Sequence, residues 1–337
     1  MTVVVADRTQ AKAKLAAAPD KTFQCIACGR DNKTRRPLLR LRQAAEFALY
    51  RCADCKLVQK FPRYTSGELT ALYNDAYYVF EENEEDRWAR AVQQYVVHLL
   101  PLESKSSKRL LDVGCALGHF AALAEARGWR VIGADLSAGA VSKAATNFGL
   151  DVRSGPIERH LTTIPPCDVV FLGDVIEHVP HPVAFLKSIK SVLAPNGILK
   201  IDTPNWSSRW RVIGGARWLG LNPYHINLFD PQSINDCLTR AGYAADEVRT
   251  YTNYRYETWG SRPEVHWLLD LGPKAMSWRA HRFLQRYSGF TKWSPLRRRK
   301  PESLDDARRY VSDFAHYRLS PVRKLTRDNL IVSARAE

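Results

Sequence analysis

Apolar positions along this chain follow two periods. From Arg109 onwards, short apolar runs alternate with stretches of helical spacing. RLLDVG (109–114), WRVIGADL (129–136), LDVRSGPIE (150–158), DVVFLGDV (168–175) and GILKIDTPN (197–205) have the length and branched content of buried strands. Between them, HFAALAEARG reads as a helix ended by Gly128, AGAVSKAATNFG as a second helix, and PVAFLKSIKSVLAPNG as a helix stopped by Pro195 and Gly197. Asn329 to Ser333 reads as a last strand. Upstream, EDRWARAVQQYVVHLL places Trp88, Val92, Tyr95, Val96 and Leu99 on one face, which predicts an amphipathic helix followed by the polar linker LPLESKSSKR. The strand–helix alternation predicts an α/β fold with a doubly wound, mostly parallel sheet.

Outside that pattern the chain divides further. Residues 1–20 are an Ala/Lys-rich arm without period, expected to be disordered; 21–65 form a cysteine ribbon and 66–105 a helical linker or cap. The α/β core takes 106–256, a basic helical insertion takes 257–325, and 326–337 return the final strand to the core. Within the insertion, Met276, Ala280, Phe283, Leu284 and Tyr287 share a helical face flanked by Arg279, Arg282 and Arg286.

Seven cysteines are an odd number, and four of them fall in two C-x-x-C pairs. Each pair can grip one ion from a tight turn, and together Cys25, Cys28, Cys52 and Cys55 complete a tetrahedral four-thiolate set, the donor set of structural Zn²⁺. A redox C-x-x-C would need one pair on a thioredoxin-like βαβ pattern, which surrounds neither. Cys115, Cys167 and Cys237 stand alone and read as small buried apolar residues.

The net charge of +15 calls for an anionic partner. From Lys274 to Lys300 there is no acidic residue, and Arg297, Arg298, Arg299 and Lys300 form a basic run. That segment is either a solvated face or a contact for a membrane surface, an anionic substrate or nucleic acid. No secretory or membrane-spanning run is present, which predicts a cytoplasmic protein, with peripheral contact at the inner membrane face through 274–300.

In doubly wound sheets, ligands bind beyond the carboxyl ends of the strands. Asp112 heads the loop D-V-G-C-A-L-G after the first strand, in which Gly114, Ala116 and Gly118 let the backbone approach a ligand. Asp135 ends the second strand, where an acid can accept both hydroxyls of a ribose. A dinucleotide fingerprint wants G-x-G-x-x-G for a pyrophosphate. An acid at the head of the loop suits an ammonium group instead, so the expected ligand is a nucleoside with an amino-acid tail.

LLDVGCALGHF, GADLS, DVVFLGDVIEHVPHP, LKSIKSVLAPNGILKIDTPN and HINLFDPQSINDCLTRAGY, spanning roughly 109–243, resemble the class I S-adenosylmethionine-dependent methyltransferases. More narrowly, they resemble the UbiG-like group that carries an N-terminal zinc-binding segment. The resemblance implies a seven-stranded Rossmann-like sheet with S-adenosylmethionine bound by Asp112, Gly114, Ala116 and Gly118 at its methionine end. Asp135 and Leu136 would hold the ribose and adenine edge, Ile157 and Glu158 would flank the adenine, and Asp174 would close the cofactor side. Ala116 stands where a third glycine is common.

In the same group Asp174, Glu177 and His178 are associated with a divalent cation such as Mg²⁺ at the acceptor hydroxyl; the alternative is that Glu177 and His178 order the loop. His225 is a candidate general base or a packed histidine, and Trp206, Trp210, Trp218 and Tyr224 before it are either acceptor pocket or core. The implied activity is O-methylation of a small molecule, saccharide or lipid-linked precursor. Sugar C-methylation, RNA methylation and a non-catalytic zinc-ribbon module binding nucleic acid are the alternatives.

Overall fold

A computed structural model of the chain describes residues 22–33, 37–40, 47–65, 68, 83–104, 108–208, 211, 212, 215, 218, 220–222, 224–251, 301–314 and 329–337. The arm, the basic run 274–300 with its helical face, and Trp210 lie outside these residues.

The N-terminal segment forms β1 (Thr22–Gln24), β2 (Asp31–Lys33), β3 (Leu39–Arg40), β4 (Ala48–Arg51) and β5 (Val58–Phe61). Helix α1 (Glu84–His98) follows, started by Asn83, whose side chain accepts the backbone N–H of Asp86 at 2.8 Å. It buries Trp88, Val92, Tyr95 and Leu99, as its spacing predicts. Then come β6 (Arg109–Val113), α2 (His119–Ala126), β7 (Arg130–Asp135), α3 (Ala138–Phe148), β8 (Val152–Ser154) and β9 (Cys167–Gly173). The chain continues through α4 (Pro182–Ile189), β10 (Leu193–Pro204), β11 (Asn227–Leu228), α5 (Pro231–Ala241), β12 (Tyr243–Tyr251), α6 (Leu304–Phe314) and β13 (Asn329–Ala336).

Seven strands join in the order β12-β13-β10-β9-β6-β7-β8. Strands β8, β7, β6, β9 and β10 are parallel, and β13 runs antiparallel to both β10 and β12. Alternation along β9 explains why the sequence shows a continuous apolar run there. Val170 and Leu172 enter the core on one face with Leu111 and Leu186, while Val169 and Phe171 enter the other with Trp88 and Phe120. Helix α6 adds Ala307 and Val311 to the second face.

One boundary differs from its sequence expectation. The helix expected to run to Pro195 ends at Ile189, and Leu193 already pairs with Cys167 as β10 begins. A register shift between Leu193 and Ile198 absorbs Pro195, Asn196 and Gly197 as an irregularity inside the strand. A Cβ at Gly197 would sit 2.8 Å from Ala194 O and 2.9 Å from Cys167 O, so glycine there serves a close backbone approach and not a helix stop.

Candidate functional site

The loop after β6 leaves the sheet at its carboxyl end. Gly114 (φ 78°), Ala116 (φ 48°) and Gly118 (φ 86°) are all left-handed, and the backbone N–H of Gly114 and of Cys115 both donate to Ala134 O at 2.7 and 3.1 Å. A Cβ at Gly114 would lie 2.5 Å from Val175 Cγ2, and one at Gly118 would lie 2.6 Å from Leu150 Cδ1 and 2.9 Å from Ala144 Cβ. At both positions the fold requires glycine. Ala116 keeps its methyl group despite a positive φ.

Asp135 does more than end β7. Its Oδ2 accepts the N–H of Ala116 at 2.9 Å and its Oδ1 that of Ser137 at 2.9 Å, so the acid expected at a ribose also shapes the glycine loop. Asp112 is buried, and its Oδ2 has no hydrogen-bond partner among the described residues. Burial first, and the Asp135 charge second, push its carboxyl up to about 8. A cation at this point would relieve that burial cost. Leu136 is 52% exposed beside Asp135, which offers an apolar face at the rim. Ile157 is buried in a short 3₁₀ turn and Glu158 is exposed.

At the carboxyl ends of β9 and β10 a second group assembles. Glu177 is fully buried, its Oε2 accepts the Thr203 hydroxyl at 2.8 Å, and its Oε1 has no hydrogen-bond partner among the described residues. His225 Nε2 lies 3.8 Å and His178 Nε2 4.0 Å from that Oε1. Each imidazole donates its Nδ1 proton to a backbone carbonyl, His178 to Tyr224 O at 3.1 Å and His225 to Gly220 O at 3.0 Å. The basic lone pair of each neutral ring is therefore at Nε2. Burial lowers His178 to about 4, and burial with the neighbouring His178 lowers His225 well below the usual imidazole value. Burial, with Asp174 nearby, raises Glu177 well above the carboxylate range.

The expected Mg²⁺ set does not assemble. The donor atoms that converge are those of Glu177, His178 and His225. Asp174, in a left-handed conformation (φ 53°) and tied through its N–H to Asp202 O at 2.9 Å, is not part of that set. Mg²⁺ prefers an oxygen shell, and two imidazoles with one carboxylate oxygen do not fit it.

The cysteines expected to hold zinc converge. Cys25 Sγ and Cys55 Sγ are 3.5 Å apart, as are Cys28 Sγ and Cys52 Sγ, and all four sulfurs lie within 4.8 Å of one another. A tetrahedral ion at Zn–S distances of about 2.3 Å separates its sulfurs by about 3.8 Å, so the set fits with small adjustment. Gln59 Nε2 and Asn32 Nδ2 donate to Cys25 and Cys52 at 3.0 and 3.6 Å, an outer shell that orients the thiolates.

This ribbon reaches the second group. β5 pairs with β11 two residues after His225, Lys60 N–H donates to Ile226 O at 2.9 Å, and Ile226 N–H donates to Glu177 O at 3.0 Å. Trp206 and Trp218 are 4% and 2% exposed and pack with Phe47, Leu49, Val58 and Leu228. They are core between ribbon and loop; Tyr224 is half-buried beside His178.

Sequence reading missed Thr203, Gln59, Asn32 and the loop-shaping role of Asp135. Thr203 carried a signal, being a polar residue at the carboxyl end of an apolar strand. The Asp135 contact did not, because it depends on a crossover between two strands.

Residues 80–248 match a family model described as a methyltransferase domain. Over 166 residues the chain is 27% identical to a probable S-adenosylmethionine-dependent methyltransferase of Mycolicibacterium smegmatis, covering 49% of this chain and 62% of that protein. Over 130 residues it is 35% identical to a ubiquinone biosynthesis O-methyltransferase of Rhodopseudomonas palustris, covering 35% of this chain and 51% of that one. The chain thus spans about half to three-fifths of the length of these relatives. A solved S-adenosylmethionine-dependent methyltransferase from Archaeoglobus fulgidus aligns over 77% of this chain and 100% of its own, at 18% identity and a TM-score of 0.47.

Proposed function

Because the chain belongs to the methyltransferase-domain family, in its class I S-adenosylmethionine-dependent form, we propose that it transfers a methyl group from S-adenosylmethionine to a hydroxyl of a small molecule, saccharide or lipid-linked precursor. The observation that carries this is Asp112, a buried carboxyl at the head of a left-handed glycine loop, with Oδ2 unpaired among the described residues. A cation is the natural occupant of such a position, and the cofactor's amino-acid end supplies one.

Bound cofactor would supply an electrophilic methyl on a sulfonium. Asp112 would hold the ammonium, Gly114, Ala116 and Gly118 would pass the backbone close to the methionine portion, and Asp135, whose carboxylate also shapes the loop through Ala116 and Ser137, would accept ribose hydroxyls. Leu136, Ile157 and Glu158 would border the adenine, and Asp174 the sulfonium side. At the acceptor end, Glu177, His178 and His225 present a buried cluster in which the Nε2 lone pairs are placed to accept a hydrogen bond from a hydroxyl and to take its proton once that oxygen becomes positively charged. The acceptor oxygen would form the new bond to carbon as the carbon–sulfur bond breaks and the electron pair stays on sulfur, so alignment is the main demand on the protein.

The O-methyltransferase name of the Rhodopseudomonas palustris relative favours oxygen as the acceptor atom. The domain boundaries at 65, 105, 256 and 325, the four-cysteine Zn²⁺ site and the contact of 274–300 with an anionic surface belong to the same reading. Among the described residues no helix is long and apolar enough to cross a membrane. Calorimetry with S-adenosylmethionine tests the reading: one binding site is expected in the parent chain, with affinity lost in Asp112→Asn and Asp135→Ala and much less affected in His225→Ala.

A further inference from the structure

We propose that Lys60, carried by the cysteine ribbon, is a positioning residue of the acceptor side: it grips the loop before β11 at two points and so holds His178 and His225 in place. Lys60 departs from the pattern of its strand. Side chains alternate along β5, so Lys60 shares a face with Val58, and its register partner in β4 is Leu49. That face belongs to an apolar cluster of Phe47, Leu49, Val58, Trp206, Trp218 and Leu228. Lys60 is nevertheless only 4% exposed. Burying an ammonium is costly, and an apolar side chain would pack there without that cost, so the charge serves what it touches.

What it touches is the loop. Lys60 Nζ donates to Asn222 O at 3.1 Å, and Lys60 N–H donates to Ile226 O at 2.9 Å, so one residue brackets Tyr224 and His225. The ammonium also lies 5.7 Å from the Phe47 ring centroid and 5.4 Å from that of Tyr64, two rings that pack on each other. Attraction to both ring faces fixes the direction in which the side chain reaches.

From Asn222 the grip passes to both imidazoles. Asn222 Oδ1 accepts the N–H of Tyr224 at 3.0 Å and that of His225 at 2.9 Å. Tyr224 O in turn receives the His178 Nδ1 proton, and Gly220 O that of His225, so carbonyls of this loop set the tautomer and the aim of each ring. The two rings meet edge to face with 4.7 Å between centroids, so a shift of the loop moves one against the other. Burial is the main cause that both rings stay neutral, and the Lys60 charge adds to it.

A proton acceptor is effective only when its lone pair is held close to the productive geometry, and the ribbon supplies that restraint through Lys60. The ribbon is thereby a working part of the acceptor side. The link to a hydroxyl acceptor rests on the methyl-transfer reading; the grip on the loop does not.

Nitrogen-15 spectroscopy of the full chain tests the proposal, with S-adenosylmethionine titrated in parallel. In the parent, His178 and His225 should each show a ring protonated at Nδ1, and Lys60 Nζ should give an ammonium signal protected from solvent exchange. Lys60→Met keeps the stem and removes the donor and the charge. It should average the ring signals between tautomers and speed exchange of the Tyr224 and His225 amides by about tenfold or more. Lys60→Arg, which can still donate to Asn222 O, should restore both. A Lys60→Met chain that melts with the parent and keeps its ring signals and amide exchange overturns the proposal. So does a parent whose Lys60 ammonium exchanges as fast as free lysine, a result that holds whether or not the variant folds. If the rings respond as expected and the parent binds no S-adenosylmethionine, the positioning role stands and the methyl-transfer reading alone fails. If the parent binds it and the rings do not respond, the positioning role alone fails.

Discussion

Gln59 donates from Nε2 to Cys25 Sγ at 3.0 Å, while its backbone is in register with Asn227, two residues after His225. One residue thus links the thiolate cluster of the ribbon to the loop that carries an acceptor-side histidine. Cys52→Ser should remove about one equivalent of zinc, since such sites lose their metal when a ligand goes. It should also impair turnover more than cofactor affinity, because the glycine loop is held by β6 and β7 and not by the ribbon. Elemental analysis with calorimetry and a methyl-transfer assay checks both halves.

Gly118 stands against Leu150 and Ala144 at a φ of 86°, so Gly118→Ala meets a backbone penalty and a steric one together. A loss of about 2 to 4 kcal/mol in urea unfolding is expected. Gly128, also left-handed at φ 90° but with nothing within 4 Å of an added Cβ, should lose only about 1 to 2 kcal/mol as alanine. The difference between the two variants measures the close approach itself.

Much of this was legible in the sequence, because local pattern and strand-end chemistry coincide. Asp112, Gly114, Gly118 and Asp135 fall within one βαβ unit, where 24 consecutive residues carry both the hydrophobic period and the polar exceptions. The helix cut short at Ile189 was less legible, since Pro195 and Gly197 signal a break without saying whether the element they interrupt is helix or strand. His225 meeting Glu177 could not be read, because β5 to β11 pairing across more than 160 residues brings them together and leaves no local period. For the same reason Asp174, adjacent in sequence, was expected as the third ligand, whereas the donor atoms that converge are those of Glu177, His178 and His225.

Asp112 makes cofactor binding depend on pH. Its folded value of about 8 lies above the usual carboxylate value, so in the ligand-free protein its contribution to stability is fully present at low pH and is lost as pH rises through about 8. An ammonium ligand reverses the preference and expels the proton. Between pH 6 and 7.5 the affinity for S-adenosylmethionine should rise by up to about tenfold per unit, with close to one proton released per cofactor at the lower end. Calorimetry in buffers of different ionisation enthalpy reads that proton, and Asp112→Asn should abolish the release.

Asp202, buried at the end of β10, receives the Tyr251 hydroxyl at 2.6 Å and Asn329 Nδ2 at 2.9 Å, with His98 Nε2 at 3.2 Å. These contacts tie α1, β12 and β13 to the strand whose next residue, Thr203, holds Glu177. Tyr251→Phe removes the shortest of them and should cost about 1.5 to 3 kcal/mol, the range for a hydrogen bond to a charged group. Chemical denaturation measures the loss.

The central claim is that the glycine loop between Asp112 and Asp135 is a cofactor cradle. Titration of the full chain with S-adenosylmethionine, followed by calorimetry, tests it most directly. One binding event per chain is expected, absent in Asp112→Asn protein that unfolds at the parent's temperature. A well-folded parent chain that takes up no S-adenosylmethionine would contradict it.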